Sequence, residues 1–528
     1  MKKVLALFLC LSLVLSLGCA LAEEETKTLT ILLEPSPYVI DYETNLLTKM
    51  IEEKFNVNLD FVYLPTTNAG DKLALMINSG ETLPDIVNFK LSKGEATDYA
   101  VNGAFLPLND YIEDISVNMK RYDEMYPGYG ILSSITSYDG NIYTIPSYSD
   151  NHISNELRYK CWINQDWLDT LGLEMPTTTD EFYDVLVAFK NDDPNGNGIA
   201  DEIPLVGAVS AWSGDPTYFL MNSFGFMTTG NHLFADNGEV KASYTQDFYR
   251  EGLEYIDKLI EEGLLDSASY TMDANAFKSL LNNQGEVIVG AFTYTTLDNL
   301  TEEDRLLSYR AVPPLTSPEG YMGAALVLAE PKPYWFVTKD CSDPELAFLI
   351  GDYLFDEDMF YAERMGVEGV NYEYTDETMV GAYEAFGFPS KIYTTNDIWT
   401  ENQNTHWRCS QPCLAITVQY NGAYYTEEEC AADISKAVSN LTADGIGLYQ
   451  TNRADGSYLV GSLAFTAEET DAIGTISADL TTFVNEQMVL FATGKRSFDT
   501  WDEYLAQLEE IGLEKYLEVA QTAYDRQH

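Results

Sequence analysis

TLTILL at residues 28–33 opens the segment that decides the fold, and VNLDFVYL at 57–64 and LPDIVN at 83–88 complete it. All three stretches are rich in β-forming residues and end at turn residues, which predicts three strands. Residues 44–55 place their apolar side chains on one helical face, and residues 71–77 predict a second, shorter helix. Strand, helix, strand, helix, strand in this order predicts a parallel α/β sheet.

Length and charge limit the classes of protein to consider. The chain has 528 residues, of which 84 are acidic and 30 basic, for a net charge of −54. The length predicts two or three domains with ample core. A hydrophobic content of 45% and a charged content of 22% are typical of a folded globular protein. Because an acidic surface repels phosphate backbones, nucleic acid is excluded as an expected partner.

The N-terminus is typical of an exported protein. Lys2 and Lys3 precede an apolar run over residues 4–17 that is too short for an ordinary membrane span, so residues 1–22 are predicted to be a signal peptide. Two processing routes stay open. The sequence Ala-Leu-Ala at 20–22 fits cleavage to a soluble secreted protein, whereas Leu-Gly-Cys ending at Cys19 resembles a lipobox that would make Cys19 a lipidated first residue. On either route the mature chain works outside the cytoplasmic membrane.

The cysteines do not form a disulfide framework. Five remain after the signal region, and an odd number in a large exported protein is not a disulfide scaffold. Cys409 and Cys413 could pair with each other, or either of them with Cys430. A zinc site is disfavoured because only His406 lies near them and no paired C-x-x-C completes a set of four ligands.

Residues 193–202 (DPNGNGIADE) carry the motif with the clearest chemistry. The spacing D-x-N-x-N-G projects oxygens from the first, third and fifth positions, and the glycine at the sixth allows a tight turn, as in a calcium loop. An EF-hand has a glutamate at the twelfth position, which here is Pro204, so Asp201 or Glu202 would close the shell. We expect calcium to be bound by Asp193, Asn195, Asn197, the carbonyl of Ile199, Asp201 and Glu202. The ion would stabilise the end of a helix over 178–190, whose start carries a capping box of Thr178 and Glu181.

Several short motifs, taken in order, resemble one protein family. They are Leu83–Ile86, Trp167–Asp169, Leu171–Leu173, Pro176–Thr178 before Glu181-Phe182, Asp343–Ala347, Gly366–Val370, and the tail from Asp499–Tyr504 to Tyr524–Arg526. Together they resemble the family 1 extracellular solute-binding proteins. The subgroup is the large oligosaccharide-type lipoproteins of Gram-positive bacteria, related to the alginate- and aldouronate-binding proteins. The motifs run from about residue 30 to the end, so the resemblance covers nearly the whole mature chain.

The resemblance implies a fold and a mechanism. The fold is α/β, with a two-lobe, periplasmic-binding-protein-like architecture, several hinge crossings and a ligand cleft between the lobes. We expect one lobe to comprise residues 23–145 plus 331–390, and the other 146–330 plus 391–528, although residues 393–462 carry little periodic signal. The family's calcium is structural. A ligand would close the lobes, and the complex would deliver it to the permease subunits of an ABC transporter; we expect a monomer.

Candidate ligand contacts come from the chemistry of sugars. Sugars present apolar C–H faces and a belt of hydroxyls, so their sites combine aromatic rings with carboxylate, amide and Arg groups. Aromatic residues make up 13% of the chain, and most of them must serve the core. The candidates in predicted loops or lobe crossings are Tyr38, Tyr148, Asp150, Trp212, Tyr294, Trp335 and Trp407. Trp212 is the favoured one, because residues 211–215 are predicted to form an exposed loop after a strand.

An enzyme is the alternative of a different class. The sequence has no H-E-x-x-H, G-x-S-x-G, Walker or Rossmann motif, and its four histidines have no metal-ligand spacing. With so many acidic residues, a carboxylate pair for glycoside hydrolysis cannot be judged from composition. Because the whole-chain resemblance is to binding proteins, it implies oligosaccharide binding without catalysis as the expected function. A peptide-binding ABC component and a secreted glycoside hydrolase are the alternatives, and the sugar itself cannot be named from sequence.

Overall fold

The structure of the chain is a computed structural model. It describes residues 26–126, 130–137, 139–149, 157–297, 300, 303–327, 331–376, 378–395, 398, 402–408, 410–416, 421–461, 463 and 465–527. The predicted signal peptide with Cys19, and also Asp150 and Cys409, lie outside the described residues. No helix of the described part combines the length and the apolar character that crossing a membrane requires.

Strands and helices alternate along the first part of the chain, and helices dominate after residue 425. The strands are β1 Lys27–Leu33, β2 Val57–Tyr63, β3 Ile86–Asn88, β4 Ile145–Ser149, β5 Lys160–Asn164, β6 Ile203–Val206, β7 Leu233–Asp236, β8 Glu239–Ala242, β9 Val289–Tyr294, β10 Tyr309–Ala311, β11 Lys332–Val337, β12 Tyr372–Tyr374, β13 Val380–Gly381, β14 Ile392–Thr394, β15 Cys413–Ala415 and β16 Ala423–Tyr424. The helices are α1 Leu46–Phe55, α2 Ala69–Ser79, α3 Lys93–Val101, α4 Asn109–Asp114, α5 Asn118–Met125, α6 Ile131–Ile135, α7 Gln165–Leu171, α8 Thr179–Asn191, α9 Pro216–Met221, α10 Asp247–Glu261, α11 Ala274–Leu281, α12 Glu303–Leu306, α13 Pro344–Tyr353, α14 Glu357–Arg364, α15 Glu427–Ala432, α16 Ile434–Thr451, α17 Ala467–Ile473, α18 Ile476–Ala492, α19 Trp501–Ile511 and α20 Leu513–Gln527.

The predicted strand–helix order of residues 28–88 is confirmed as β1, α1, β2, α2 and β3 of a six-stranded sheet. Its strand order is β15-β4-β11-β3-β1-β2, and β1 pairs in parallel with both β2 and β3. Apolar side chains point to both faces: Ile31 and Val337 lie in one buried cluster, and Leu32 and Phe336 in another. Helices therefore cover both sides, as in other largely parallel sheets.

A second sheet forms the centre of the second lobe. Its order is β10-β5-β9-β6, with β6 parallel to β9 and β5 antiparallel to it. Cys161 and Ile163 point into a large apolar cluster that continues into α18, α19 and α20, while Trp162 points into a smaller cluster with α11. Each sheet thus has its own core. The α/β fold predicted from sequence is the one observed.

The six-stranded sheet extends beyond the chain division expected at 145/146 and 390/391. Strand β4 runs to Ser149, and β15 pairs with it in parallel, so residues 413–415 belong to the first sheet. Trp407 and Leu414 lie in the same buried cluster as Ile31. The physical reason is that a three-residue strand joins a sheet through backbone pairing with a distant partner, which leaves no periodic pattern in the sequence.

Local signals at helix α8 agree with the structure. The side chain of Thr178 accepts a hydrogen bond from the N–H of Glu181, whose carboxylate accepts one from the N–H of Thr178 at 3.2 Å. This is the predicted capping box, and Phe182, Leu186 and Phe189 form the buried face of the helix.

Two of the cysteines considered for a disulfide, Cys413 and Cys430, are free thiols, so they are not joined to each other.

Lys160, the first residue of β5, is an unusual core residue because it has no exposed surface. Its ammonium donates a hydrogen bond to the carbonyl of Thr295 at 3.0 Å and lies 5.9 Å from the ring centre of Tyr449. Burial, with a smaller contribution from Arg158, lowers the pKa of Lys160 from 10.5 to about 7. The charged form is therefore disfavoured in the folded protein.

This pKa predicts a pH-dependent stability. Between pH 7 and pH 10.5 the unfolded chain holds a proton on Lys160 that the folded protein has lost, so this residue makes stability rise with pH in that window. The penalty is fully present below about pH 7. We expect Lys160→Met to remove this dependence, so that the free energy of unfolding of the variant relative to the parent falls by about 1.4 kcal/mol per pH unit through the window. Urea unfolding at pH 6 to 10 measures it.

The matched control is Lys72→Met, since Lys72 is exposed on α2. Its difference from the parent should stay constant with pH. A constant difference for Lys160→Met as well would contradict the assignment.

Candidate functional site

The chain connects one edge of the first sheet with one edge of the second. Strands β1, β3, β4 and β15 all end at one edge of the first sheet, where β11 begins, because β11 is antiparallel to both β3 and β4. In the second sheet β6, β9 and β10 end at the edge where β5 begins. The connections β4–β5 and β10–β11 each join these two edges. In open α/β sheets ligands bind outside the carboxyl ends of the strands, so these edges define the candidate site.

A cavity of about 390 Å³ lies at the edge of the first sheet. Its walls come from the segments after β1 and β3 and from the start of β11. They comprise Glu34, Pro35, Ser36, Pro37, Asn88, Phe89, Lys90, Tyr334 and Ser410. The lining combines prolines and aromatic rings with one carboxylate, one ammonium, one amide and two serines. That mixture suits a small polar ligand with apolar faces.

Asn88, at the end of β3, is the most constrained polar group of this cavity. It is 2% exposed, and its amide nitrogen donates a hydrogen bond to the carbonyl of Ser410, which fixes the orientation of the amide. Its Oδ1 is buried without a hydrogen-bond partner, and so is Oε1 of Gln411. Buried acceptors are normally satisfied, and an unmade bond is costly. Two such acceptors near the cavity fit a ligand or water that donates hydrogen bonds.

At the edge of the second sheet, residues 207–215 form a tightly packed loop after β6. The N–H of Ala208 donates to the carbonyl of Gly214 at 2.8 Å, and the hydroxyl of Thr293 donates to the same carbonyl at 2.7 Å. A Cβ on Gly207 would lie only 2.4 Å from that oxygen, so glycine is required there. This loop presents the indole of Trp212, which is 53% exposed. A rigid loop that exposes a tryptophan provides a preorganised apolar platform.

Polar and aromatic groups that the sequence analysis did not identify lie beside this loop. The rings of Tyr159 and Tyr218 are 4.5 Å apart, and burial raises the pKa of Tyr159 to about 12. Asp215 accepts a hydrogen bond from the N–H of Thr217 at 2.9 Å, and burial raises the pKa of its carboxyl. Burial also lowers the pKa of Arg158. For Arg158 and Tyr159 the available signal in the sequence was their position shortly after the chain division expected at 145/146.

Six of the seven predicted ligand residues lie in the described part of the chain, and they separate into two groups. Tyr38 is 44% exposed beside the cavity, and Tyr294 ends β9 on the edge that also carries Trp212. The other described ones, Tyr148, Trp335 and Trp407, lie together in the core of the first lobe. Trp335 donates its indole N–H to the carbonyl of Ala347 at 3.0 Å, and Trp407 donates to the hydroxyl of Thr48 at 2.9 Å. The two tryptophans have no exposed surface, so they offer none to a ligand in this conformation.

The predicted calcium loop forms a compact turn between α8 and β6. Asp193 adopts a left-handed backbone with φ 47°, and its Oδ2 accepts the N–H of Gly198 at 3.0 Å. The amides of Asn195 and Asn197 donate to Oδ1 of Asp201 at 3.3 and 3.1 Å. The predicted side chains therefore do converge. Ile199 lies in the same turn, where its carbonyl accepts the N–H of Asp201 at 3.0 Å.

Some observations on this loop favour cation binding, and one opposes it. Oδ1 of Asp193 and Oε1 of Glu202 are buried without hydrogen-bond partners. Burial, followed by the charges of Asp193 and Asp201, raises the pKa of Glu202, as expected for carboxylates gathered without a counter-ion. Against this, no group of three or more His, Cys, Asp or Glu side chains placed to hold a metal is found within the described ranges. The donor set fits a hard cation through its amide and backbone oxygens as well as its carboxylates.

Known proteins are similar to this chain in both sequence and structure. A fructooligosaccharide ABC transporter substrate-binding protein of Streptococcus pneumoniae, FusA, is 28% identical over 523 residues, covering 96% of this chain and 92% of the relative. The structure of FusA in complex with kestose matches with a TM-score of 0.73 at 25% identity, over 95% of this chain and 99% of FusA. A FusA EF-hand mutant in complex with fructo-nystose matches over the same shares with a TM-score of 0.71 at 25% identity.

The fold is also found at lower sequence identity. A solute-binding protein associated with an HMO-binding ABC transporter of Bifidobacterium longum infantis has a TM-score of 0.75 at 19% identity, over 95% of this chain and 99% of its own. Such neighbours are two-lobe, periplasmic-binding-protein-like structures, in agreement with the two sheets described above. The sequence profile of the bacterial extracellular solute-binding proteins matches residues 41–359. The chain belongs to the family of bacterial extracellular solute-binding proteins.

Proposed function

We propose that this protein captures an oligosaccharide between its two sheet edges and delivers it to the permease of an ABC transporter. The observation that carries the proposal is that one sheet edge has a polar cavity and the connected edge of the other sheet has the rigidly presented indole of Trp212. Sugars have an apolar face for the indole and hydroxyls for the polar groups. The full-length similarity to FusA supports this substrate class.

Capture follows from how the groups are divided between the lobes. Asn88, Glu34 and Ser410 offer hydrogen bonds on one edge, and Trp212 with Tyr294 offers aromatic surface on the other. A ligand that contacts both edges binds the closed arrangement more tightly than an open one, so it shifts the population towards closure. The connections β4–β5 and β10–β11 are the hinge segments of this proposal. None of these groups has to break a bond in the ligand.

The proposed setting is the outer face of the cytoplasmic membrane. The signal peptide over residues 1–22 directs export, and both routes remain part of the proposal: lipid attachment at Cys19 or release as a soluble protein. The ligand-bound protein acts as a monomer and hands its sugar to the permease subunits.

Trp212→Ala is the direct test of sugar capture. The unliganded variant should unfold at the parent's temperature, because the indole is largely exposed. Ligand at 100 times its dissociation constant should stabilise the parent by about 2.7 kcal/mol. We expect truncation of the indole, as a central aromatic contact, to cost about 2 kcal/mol of binding. Thermal unfolding with fructooligosaccharides, other neutral and uronate oligosaccharides, and peptides provides the measurement, and calorimetry gives the affinities.

The control for this variant is Leu75→Ala, which truncates another exposed apolar side chain, on α2. It should bind as the parent does. If peptides bind and no glycan does, the peptide-binding alternative replaces the proposed function. Recovery of a shortened glycan after incubation would establish the hydrolase instead, since a binding protein returns its ligand intact.

Calcium is proposed as a structural cofactor. Asp193, Asn195, Asn197, the carbonyl of Ile199, Asp201 and Glu202 would hold it. The support comes from the loop spacing, from the two unpartnered carboxylate oxygens, and from the similarity to FusA, of which an EF-hand mutant is known. A bound ion would neutralise the loop's carboxylates. Because Asn195 also donates to the carbonyl of Val287 at 3.3 Å, the loop ties the end of α8 to the chain entering β9.

Glu202→Gln separates the role of the ion from that of the fold. In a chelator the variant should be at least as stable as the parent, because it removes a carboxylate whose ionised form is disfavoured. With calcium at 100 times its dissociation constant, the free energy of unfolding of the parent should rise by about 2.7 kcal/mol. The rise should be much smaller for the variant. Calorimetric unfolding with and without calcium, and equilibrium dialysis, measure both effects.

The control is Asp184→Asn, on the exposed face of α8, which should respond to calcium as the parent does. Equal calcium responses in all three proteins would contradict the proposal.

A further inference from the structure

Two helices that belong to different lobes touch each other directly. Helix α3 packs on the first sheet, where Ala96 and Ala100 share a buried cluster with Phe336 of β11. Helix α17 packs on α20, and its Ile473 belongs to the large apolar cluster of the second sheet. The chain passes between the sheets at other segments, so non-covalent forces alone act at this contact. A change in the angle between the lobes therefore changes the contact.

Each of the two helices is fixed to its own lobe. At the start of α3, Ser92 accepts the N–H of Glu95 at 3.2 Å, and the carboxylate of Glu95 accepts the N–H of Ser92 at 2.9 Å. Helix α17 begins with the same kind of capping box, made by Thr466 and Glu469. Arg526 of α20 then donates to both carboxylate oxygens of Glu469, at 2.8 and 2.7 Å. Side chains of α3 and α17 thus move as parts of their lobes.

The contact brings like charges together. Asp98 of α3 is partly buried, and Asp471 of α17 is exposed. Burial, followed by the charges of Asp471 and Glu95, raises the pKa of Asp98. Among the described residues, the charges that act on this carboxyl are thus both negative. The other titratable groups on α3 and on the elements packed against it, α17 and β11, are Lys93, Tyr99, Glu468, Glu469, Lys332 and Tyr334.

We infer that Asp98 and Asp471 repel each other across the lobe contact and so oppose closure, and that protonation of Asp98 at lower pH relieves this opposition. A ligand that bridges the lobes then has to overcome the repulsion, and its apparent affinity is reduced accordingly. The inference rests on the lobe closure of the proposed function, but it does not depend on which ligand is bound.

The direction of the pH effect follows from the contact. When the lobes separate, Asp471 no longer acts on Asp98, so the pKa of Asp98 is higher in the closed arrangement than in the open one. Protonated Asp98 therefore favours the closed arrangement, and the closed population rises as the pH falls from neutral towards that raised pKa. At neutral pH both carboxylates are charged and the repulsion is complete. Salt should favour closure as well, because it screens charges near the surface.

Distances between spin labels measure closure in the mature chain, in calcium-containing buffer and without ligand. The labels are attached to p-acetylphenylalanine in place of Leu75 on α2 and Glu503 on α19, which are exposed positions in different lobes. Asp98→Asn and Asp471→Asn should each raise the ratio of short to long distances about threefold at pH 7.5, as expected for the loss of a like-charge pair near the surface. The parent's ratio should rise between pH 7.5 and pH 5, and also with added salt; both variants should respond less.

Two further variants separate this contact from the general acidity of the chain. The double variant of Asp98→Asn and Asp471→Asn should close no more readily than either single variant, because removal of one carboxylate already ends the repulsion. The control is Asp184→Asn, which removes an exposed carboxylate from α8, far along the chain from both helices. It should keep the parent's ratio and its response to pH and salt.

The outcomes distinguish this inference from the proposed function. If the parent, Asp98→Asn and Asp471→Asn show the same ratio at both pH values, the inference is overturned, even where a glycan binds. It is also overturned if the two variants respond to pH and salt as strongly as the parent and Asp184→Asn do. If the two variants close more readily but no glycan of the thermal-unfolding series binds, the inference stands and the proposed sugar capture fails.

Discussion

Parallel pairing of backbones is the constraint on which the rest of this structure depends. Once β1 pairs in parallel with β2 and β3, the carboxyl ends of those strands must lie at one edge, and every connection from them must leave there. The second sheet repeats the arrangement with β6 and β9. The chain crosses between the sheets by connections that begin and end at those edges. The place of the proposed ligand site is thus a consequence of strand direction, before any side chain is considered.

Some buried polar atoms near the two edges have no hydrogen-bond partner. They are Oδ1 of Asn88 and Oε1 of Gln411 near the first edge, and the hydroxyls of Ser213 and Thr295 near the second. Each such group lowers the stability of the unliganded fold by the cost of an unmade hydrogen bond. Other such atoms lie away from the edges, among them Oδ1 of Asn118 and the hydroxyl of Tyr249. Asp85, by comparison, accepts hydrogen bonds from both Thr30 and Ser342, through backbone and side chain alike.

Charge is distributed to serve two purposes. The acidic surface repels polyanions, whereas the 193–202 loop gathers carboxylates in a place where a cation would offset them. At the cavity the lining carries one cation, Lys90, and one carboxylate, Glu34. Average charge alone weighs mildly against an acidic ligand.

The sequence by itself determined the elements that depend on neighbours along the chain. The order of β1 to β3, the capping box at Thr178, the loop at 193–202 and the exposed setting of Trp212 all follow from local propensity and spacing. Only the tertiary structure decided that β15 joins the first sheet, that Trp335 and Trp407 are core, and that Arg408 lies over Tyr38. Those outcomes depend on contacts between residues hundreds of positions apart, and such contacts leave no periodic trace in the sequence. Whether an aromatic side chain packs or binds is settled by what covers it.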